Sequence, residues 1–452
     1  VSRARRRAQQ QAVRAEIAQQ LGGVVQQALE TALAAEVTAG LGRARYTRRR
    51  SAPPRAVGAP CTRCQQDWTW RSFRAGYYTR TLLTTLAAVA IRVPRLRCCC
   101  GGTIPLEFAT LGRYERVWAD LQERARELAG LCVSLSDART ILAWSSGQPL
   151  ACSTLQQWGH QAAALAEALR QGPLARVPPV VLLDGLWLKL LVETGERFQD
   201  RLGRDRPRTR RLRVPLLLAY GVDPTTGERW VVDWERAERE DQASWQRLLE
   251  RLQARGLSSS AGFTLFLHDG GGGLEAALNE LDFGPSVLRQ RCVFHVLRTV
   301  REAVGGEPGM PREAKQARRR EVVQAAATIW QTTEAQTVRE RYQAFRASWE
   351  AREPAAVAAI ERALADTLAY CTAITWARER GEVWSPQYLR TTSALERLNR
   401  ALRQKARQVG AFRAERAVAA AVALVLAHGD WMPDRSPADY WAENLERSLA
   451  AA

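Results

Sequence analysis

The run Val180-Val-Leu-Leu-Asp-Gly-Leu-Trp-Leu-Lys-Leu-Leu191 reads as a nearly continuous apolar strand with one carboxylate in its middle. A strand so apolar belongs inside a folded core, where a carboxylate is expensive unless it is paired or binds a metal ion. Asp184 is therefore either part of a site or, read by itself, a turn aspartate placed before Gly185. The choice depends on what the chain brings beside it.

Leu212–Val222, the turn Asp223-Pro224-Thr-Thr-Gly227 and Arg229–Trp234 complete a three-stranded antiparallel meander. Gln242–Gly256 follows as an amphipathic helix, Phe263–His268 as an apolar strand ending at Asp269, Leu274–Leu281 as a helix and Val287–Phe294 as a fifth strand. The order β-β-β-α-β-α-β is that of an RNase H-like domain. In such a sheet the first and fourth strands are neighbours, so Asp184 and Asp269 converge at one edge. Two nearby carboxylates repel, and a divalent cation relieves the repulsion. A pair of Mg²⁺ ions about 3.5–4 Å apart activates a water or a 3′-hydroxyl and stabilises the leaving oxygen in phosphoryl transfer. The aspartate pair thus predicts phosphodiester chemistry. After His295 the chain reads as helical to Ala427.

Upstream of the strand the signals are cysteine and charge. Nine cysteines in 452 residues are too few and too clustered for a disulfide scaffold. Five lie between Cys61 and Cys100, and the remaining four, Cys132, Cys152, Cys292 and Cys371, are scattered through apolar segments. Cys61-x-x-Cys64 and Cys98-Cys99-Cys100-Gly101-Gly102 bracket a stretch whose Tyr77-to-Arg97 half alternates as a β-hairpin does. That is the outline of a zinc ribbon, with Cys61, Cys64, Cys98 and Cys100 as preferred ligands and Cys99 as the alternative to either member of the second pair.

Residues 1–60 hold 11 Arg against 3 Glu and residues 61–113 hold 8 Arg against 2 acids, so this quarter carries +14 of the net +19. Arginine in place of lysine, of which there are only three (Lys189, Lys315, Lys405), fits a GC-rich coding sequence, but that bias does not explain the excess over acids. A polyanion is the partner implied. Ala8 to Gly42 has helical periodicity, with Val13, Ile17, Leu21, Val24, Val25, Ala28 and Leu29 on one face. Arg43 to Pro60 reads as a linker whose Arg48-Arg49-Arg50 is either a solvated run or a contact for backbone phosphates. Leu135-to-Trp144, the turn Ser145-Ser146-Gly147-Gln148-Pro149 and a helix capped by Ser153 make either a helix-turn-helix or a generic helical hairpin.

A third acid completes a phosphoryl-transfer site. Arg390-Thr-Thr-Ser-Ala-Leu-Glu-Arg-Leu-Asn-Arg-Ala-Leu-Arg403 starts a helix with Thr or Ser caps and places Glu396, Asn399 and Arg400 on one face. By itself Glu396 reads as a surface residue paired with Arg400. The set of Leu182-Leu-Asp-Gly-Leu186, His268-Asp-Gly270, Gln290-Arg-Cys-Val-Phe-His295 and Thr391-Thr-Ser-Ala-Leu-Glu-Arg-Leu-Asn399, with Ala35-Glu-Val-Thr-Ala-Gly-Leu-Gly42 upstream, resembles the Mutator-type insertion-sequence transposases. These belong to the DDE group, with an RNase H-like catalytic domain. The resemblance implies that Asp184, Asp269 and Glu396 form the DDE triad and hold Mg²⁺ or Mn²⁺, and that Cys292 and His295 are the family's Cys-x-x-His element. Two residues are too few for a separate zinc site. Cys292 is expected to be packed, and His295 to lie at the active-site edge, contacting a phosphate or orienting a carboxylate, or else to be structural. Trp384 stacks on an unpaired base or, as the better reading, lies in the core.

The chain is thus read as multidomain α/β. A basic helical region and linker (1–58) precedes a zinc-ribbon-like module (59–112) and a helix-turn-helix-like DNA-binding region (113–175). The first part of an RNase H-like core with a mixed five-stranded sheet (176–296) follows, then an all-α insertion (297–385), and the catalytic helix with C-terminal helices (386–452). The Arg-rich stretch Arg197 to Arg213, with Arg210 and Arg211, is expected as a loop that contacts DNA. The implied activity is cleavage at the terminal repeats of a bacterial or archaeal element and joining of 3′ ends to target DNA. Double-stranded DNA is the partner and a homodimer or larger assembly the working state. No membrane segment and no signal peptide are apparent, so a cytoplasmic, nucleoid-associated protein is expected. A structure-selective nuclease or resolvase on the same fold, and a catalytically idle transposase-derived DNA-binding protein, are the rivals; the presence of all three acids speaks against the second.

Overall fold

The computed structural model describes residues 3–42, 44–45, 60–65, 72–174, 176–258, 262–305 and 310–428. Its contacts divide the chain into two compact units, residues 1–129 with 133–159 and residues 130–132 with 160–452. No helix among the described residues is long and apolar enough to cross a membrane.

The first unit opens with helix α1 (Arg3–Leu41). Its C-terminal half is held by a hairpin of β1 (Ser72–Leu83) and β2 (Ala88–Cys98), to which the short β3 (Thr103–Ile104) adds. Leu29 and Leu33 of α1 pack with Leu82, Val89, Ile91 and Val93 of the hairpin, and Val37 and Leu41 pack with Cys61, Leu96, Cys98 and Ile104. Glu30 ties the two elements further by accepting from the Arg92 guanidinium at 2.8 and 3.0 Å. The helical face read from the sequence is only partly a buried one: Val13, Ile17, Leu21 and Val24 are exposed, and packing begins at Val25. The hairpin cannot cover the first half because its length matches only the second. Helices α2 (Ala119–Gly130), α3 (Leu135–Ser146) and α4 (Cys152–Gln171) follow, with Leu121, Leu142, Leu155 and Trp158 forming a common core. Ser134 caps α3 by accepting from Asp137 N–H at 3.1 Å, and Gly147 ends it in the left-handed conformation. Helix α4 starts at Cys152, so Ser153 sits in its first turn instead of capping it.

The second unit is built on a five-stranded sheet of β4 (Val180–Gln199), β5 (Asp205–Val222), β6 (Arg229–Arg236), β7 (Thr264–His268) and β8 (Val287–Arg291) in the order β6-β5-β4-β7-β8. The first three pair antiparallel, and β4 with β7 and β7 with β8 run parallel, so the apolar run at 180–191 is the central strand. Helices α5 (Gln242–Ala254) and α6 (Gly272–Glu280) cover one face, where Trp245, Leu248, Leu252, Leu274 and Leu278 meet Val181, Leu183, Leu217 and Phe266. The stretch expected as an Arg-rich loop is instead an extension of the β4–β5 hairpin: Leu191 opposes Arg211, Val192 opposes Arg210, and Gln199 opposes Asp205. Cross-strand charge pairs such as Arg197–Asp205 and Arg208–Glu196 support a ribbon there that composition alone does not reveal.

Strand β8 is shorter than expected, because α7 (Val293–Ala303) begins right after Cys292. Helices α8 (Arg312–Ala327), α9 (Ala335–Trp349), α10 (Pro354–Leu364) and α11 (Ala369–Glu379) make the following helical region. It is joined to the sheet by Gln290, whose Oε1 accepts from Tyr370 N–H at 3.0 Å. Trp384 is buried against Phe263 and Trp376, which excludes it as an exposed stacking surface. The short α12 (Gln387–Arg390), α13 (Ser393–Val409) and α14 (Glu415–His428) end the described chain.

Candidate active site

Strands β4 and β7 deliver carboxylates to one edge of the larger sheet, and helix α13 packs beside it through Asn399. In the parallel pairing of β4 and β7, Leu183 lies opposite His268, so Asp184 and Asp269 follow side by side at the point where β7 stops. Burial pushes the Asp184 carboxyl up to about 7; Asp269 and, less strongly, Glu240 push it the same way, while the Gly185 N–H and the charge of Arg403 act against them. Gly185 N–H donates to Asp184 Oδ1 at 2.8 Å, and Asn399 Nδ2 donates to Oδ2 at 2.6 Å. Asp269 Oδ1 accepts Gly271 N–H at 3.0 Å. Gly270 has φ +88°, and a Cβ on it would stand 2.6 Å from Arg291 Nε, so glycine is required directly after this aspartate.

Helix α13 carries the third acid and is fastened at both ends. At its start the buried Thr392 donates its N–H to Cys292 Sγ at 3.4 Å and keeps its hydroxyl at the same distance from that sulfur. Past its end Phe412 exchanges two backbone hydrogen bonds with β4, donating to Lys189 O at 2.9 Å and accepting from Leu191 N–H at 2.7 Å. Asn399, buried in the middle of α13, makes the link to Asp184 described above. Glu396 lies half-buried one turn before Asn399, and Arg400 is exposed.

His295, in the first turn of α7, is pushed below the ordinary imidazole range by burial and by Arg298, while Asp269 and Glu396 both pull it upward. Both carboxylates therefore lie near enough for their charge to act on the ring. Its Nδ1 is buried and makes no hydrogen bond. His268 is more enclosed, lowered to about 4 by burial, and its Nδ1 accepts from Gly270 N–H at 3.2 Å, which makes it a structural residue of the turn.

In the first unit Cys61, Cys64, Cys98 and Cys100 bring their sulfurs within 4.8 Å of one another, with Cys61–Cys100 at 3.5 Å and Cys64–Cys98 at 3.8 Å. Four sulfurs each about 2.3 Å from a central ion stand about 3.8 Å apart, so the donor set and its spacing fit tetrahedral zinc. Backbone N–H groups of Cys64 and Arg63 lower Cys61 to about 6, toward the thiolate that ligation needs. Cys99 is exposed and outside the cluster. Among the described residues this is the one gathering of ligand side chains so tight; the carboxylates of Asp184, Asp269 and Glu396 stand further apart.

Arg210 and Arg211 are exposed on the β5 arm of the ribbon, and Arg48, Arg49 and Arg50 lie outside the described residues. Three residues at the acidic edge escaped the sequence reading. Arg291 rests on Gly270 with its Nε buried and unbonded. Glu240, just before α5, lies over Gly185, where a Cβ would stand 2.8 Å from Glu240 Cδ. Trp187 hydrogen-bonds Glu240 and carries the Arg213 guanidinium 5.6 Å from its ring centre. Glu240 sits in the run Glu235-Arg-Ala-Glu-Arg-Glu-Asp241, which has the composition of a solvated turn. The only available signal was the glycine after Asp184.

The family described as "Transposase, Mutator family" matches residues 3–433. A transposase for insertion sequence element ISRM5 of Rhizobium meliloti (strain 1021) is 24% identical over 333 residues, covering 74% of this chain and 73% of the relative. A transposase for insertion sequence element IS406 of Burkholderia multivorans (strain ATCC 17616 / 249) is 27% identical over 347 residues, covering 76% and 78%. The Drosophila P element transposase in its strand transfer complex overlaps 73% of this chain and 81% of its own at 10% identity and a TM-score of 0.28, a likeness too loose to bear on the site.

Proposed function

The chain belongs to the Mutator family of transposases, and on that premise we propose that it is a DDE transposase that binds the terminal repeats of its own element, cleaves DNA there and joins the 3′ ends to target DNA. The observation that carries this reading is the meeting of Asp184, Asp269 and the Glu396 helix at one sheet edge, with Asn399 bonded to Asp184. The strand order, with three antiparallel strands followed by two parallel ones, supports an RNase H-like catalytic core interrupted by a helical insertion at about 297–385.

The oxygen-rich donor set fits Mg²⁺ or Mn²⁺, as does the unbonded, buried Oδ1 of Asn399 beside Asp184. When bound, the divalent cations supply activation of a water or 3′-hydroxyl and stabilisation of the leaving oxygen. The chain's own residues prepare that chemistry. Asn399 fixes the rotamer of Asp184, and the Cys292–Thr392 contact sets the start of the helix that presents Glu396. His295 stays neutral under burial and the charge of Arg298, holding one ring proton to donate to a phosphate oxygen. Arg400, exposed one turn beyond Glu396, serves the DNA backbone. In the first unit Cys61, Cys64, Cys98 and Cys100 hold a structural zinc ion that fixes the hairpin against α1. Residues 1–175, with Arg48, Arg49 and Arg50, recognise the ends, and Arg210 and Arg211 add contacts from the catalytic unit. Two ends have to be processed together, so the working species is a dimer or larger, acting in the cytoplasm on the nucleoid.

The test is incubation of the protein and Mg²⁺ or Mn²⁺ with DNA carrying the inverted repeats that flank its gene, together with a target plasmid. Joined products requiring the divalent ion are expected. Cutting without joining supports a nuclease or resolvase, and binding without cutting an idle descendant; either result overturns the proposal.

A further inference from the structure

We infer that the stem of the β4–β5 ribbon carries a platform for an unpaired stretch of DNA strand, built by Trp187, Lys189, Arg211 and Arg213. The inference rests on the transposase reading proposed above and deepens it by naming the face of the ribbon that binds and the form of DNA it takes. Successive side chains of a strand point to opposite faces, so Trp187 and Lys189 stand on the face of β4 away from Asp184. Arg213 lies directly opposite Lys189 and Arg211 opposite Leu191, which puts both arginines on that same face. All four side chains are exposed, Trp187 at 44%. The other face of the stem is closed: Leu188, Leu190 and Val214 are buried, and the backbone of Phe412 is hydrogen-bonded to Lys189 and Leu191.

Charge separates this stem from the tip of the ribbon. At the tip Arg197 pairs with Asp205, Arg204 and Arg206 with Asp200, and Arg208 with Glu196. Glu193, opposite Thr209, and Glu240, over Gly185, bound the stem face at its two ends. Among the described residues neither forms an ion pair with Lys189, Arg211 or Arg213, and these three cations have no other acid partner. Lys189 and Arg213 are a like-charge pair directly across the ladder, which destabilises the ribbon until a polyanion offsets it. The Trp187 ring is held by its hydrogen bond to Glu240 and by the Arg213 guanidinium, 5.6 Å from its centre. An exposed aromatic ring among unpaired cations is what single-strand binding uses: the cations follow the phosphates and a base stacks on the ring. Duplex DNA keeps its bases stacked on one another, so a strand with unpaired bases is the occupant that engages all four residues.

Fluorescence anisotropy of a labelled short oligothymidine and of labelled end duplex, each titrated with the full-length protein in chelator, tests this. Trp187→Ala is expected to weaken oligothymidine binding at least about fivefold, the loss of one stacked base, while changing duplex binding less than about twofold. Trp187→Phe keeps a ring and is expected to stay within about twofold of the parent on both. Replacing Lys189 and Arg213 together by alanine should lower the salt slope for oligothymidine by about 1.4, or about 0.7 for each phosphate contact on a single strand. Arg204→Ala with Arg206→Ala, at the charge-paired tip, should leave both titrations unchanged. A Trp187→Ala protein that binds oligothymidine like the parent, one that loses duplex and single strand equally, or an unchanged slope in the Lys189 and Arg213 double variant overturns the platform. If the parent binds end duplex but no oligothymidine, the platform is wrong and the transposase reading stands; if it binds neither, that reading fails as well.

Discussion

Asp184 is a carboxyl that folding makes harder to ionise, and this has a measurable consequence in metal-free protein. A carboxyl whose folded pKa lies above its unfolded value binds protons more tightly when folded, so its contribution to stability is complete at low pH and is lost as pH rises through the folded value, here about 7. Asp184→Asn should therefore gain stability relative to the parent progressively between about pH 4 and pH 7. His268, lowered to about 4, has the opposite sign but is present in both proteins and cancels in the difference. Melting curves of the two proteins in chelator across that range check this; a difference independent of pH contradicts it. Single residues were legible in the sequence where they broke a pattern. Asp184 interrupts an apolar strand and Asp269 ends one, whereas Glu396 is chemically ordinary on its helix and is read only through the family resemblance. Glu240 broke no local pattern, because its surroundings at the sheet edge come from β4, 55 residues earlier in the chain.

Elements were legible where hydrophobic periodicity and turns agreed, which is why all five strands of the larger sheet fall where the apolar runs predict, although β4 runs on to Gln199 and β5 begins at Asp205. The β4–β5 ribbon was missed because its arginines disguise strand alternation, whereas the helix read from Ala8 to Gly42 is present as α1, although its first-half apolar face is exposed because periodicity reports a face but not what covers it. At this scale the cysteine module makes a sharp prediction. The protein should carry one zinc per chain by elemental analysis, Cys61→Ser should lose it, and Cys99→Ser should keep it, since only Cys61, Cys64, Cys98 and Cys100 converge. Zinc lost with Cys99→Ser would contradict the assignment. The junction of α4, β6 and α5 offers a second. Asp233, with no side-chain exposure, pairs with Arg170, Arg251 and Arg255 at 2.8 to 3.2 Å, while Glu235 pairs with Arg251 at 3.1 Å and Glu167 with Arg170 at 2.7 Å. Removing it as Asp233→Ala takes the fully buried acid from all three guanidinium groups and leaves Glu235 and Glu167 as the remaining acids, which should cost about 3–5 kcal/mol of stability, read by denaturant unfolding; a loss below about 1 kcal/mol would mean that the arginines repartner without strain.

At the scale of the whole molecule, the net charge of +19 fits a chain whose relatives are transposases, and it predicts how DNA binding responds to salt. The logarithm of affinity should fall linearly with that of salt, with a slope of about −0.9 per phosphate contact. Replacing Arg210 and Arg211 together by alanine should reduce that slope by about two, without changing preference among end sequences; an unchanged slope would remove the ribbon from the DNA surface. The proposed division into an end-recognising part and a catalytic part comes from composition, because charge and cysteines gather upstream and apolar strands downstream. The central claim, that Asp184, Asp269 and Glu396 act as one unit, is tested most directly by strand-cleavage rates on end DNA for Asp184→Asn, Asp269→Asn, Glu396→Gln and the triple variant. Groups that work as a unit fail together, so each single variant should lose nearly as much as the triple while still folding and binding ends, with Glu275→Gln and Glu382→Gln active as controls. A Glu396→Gln protein that cuts like the parent, or single losses that add up stepwise to the triple, would contradict it.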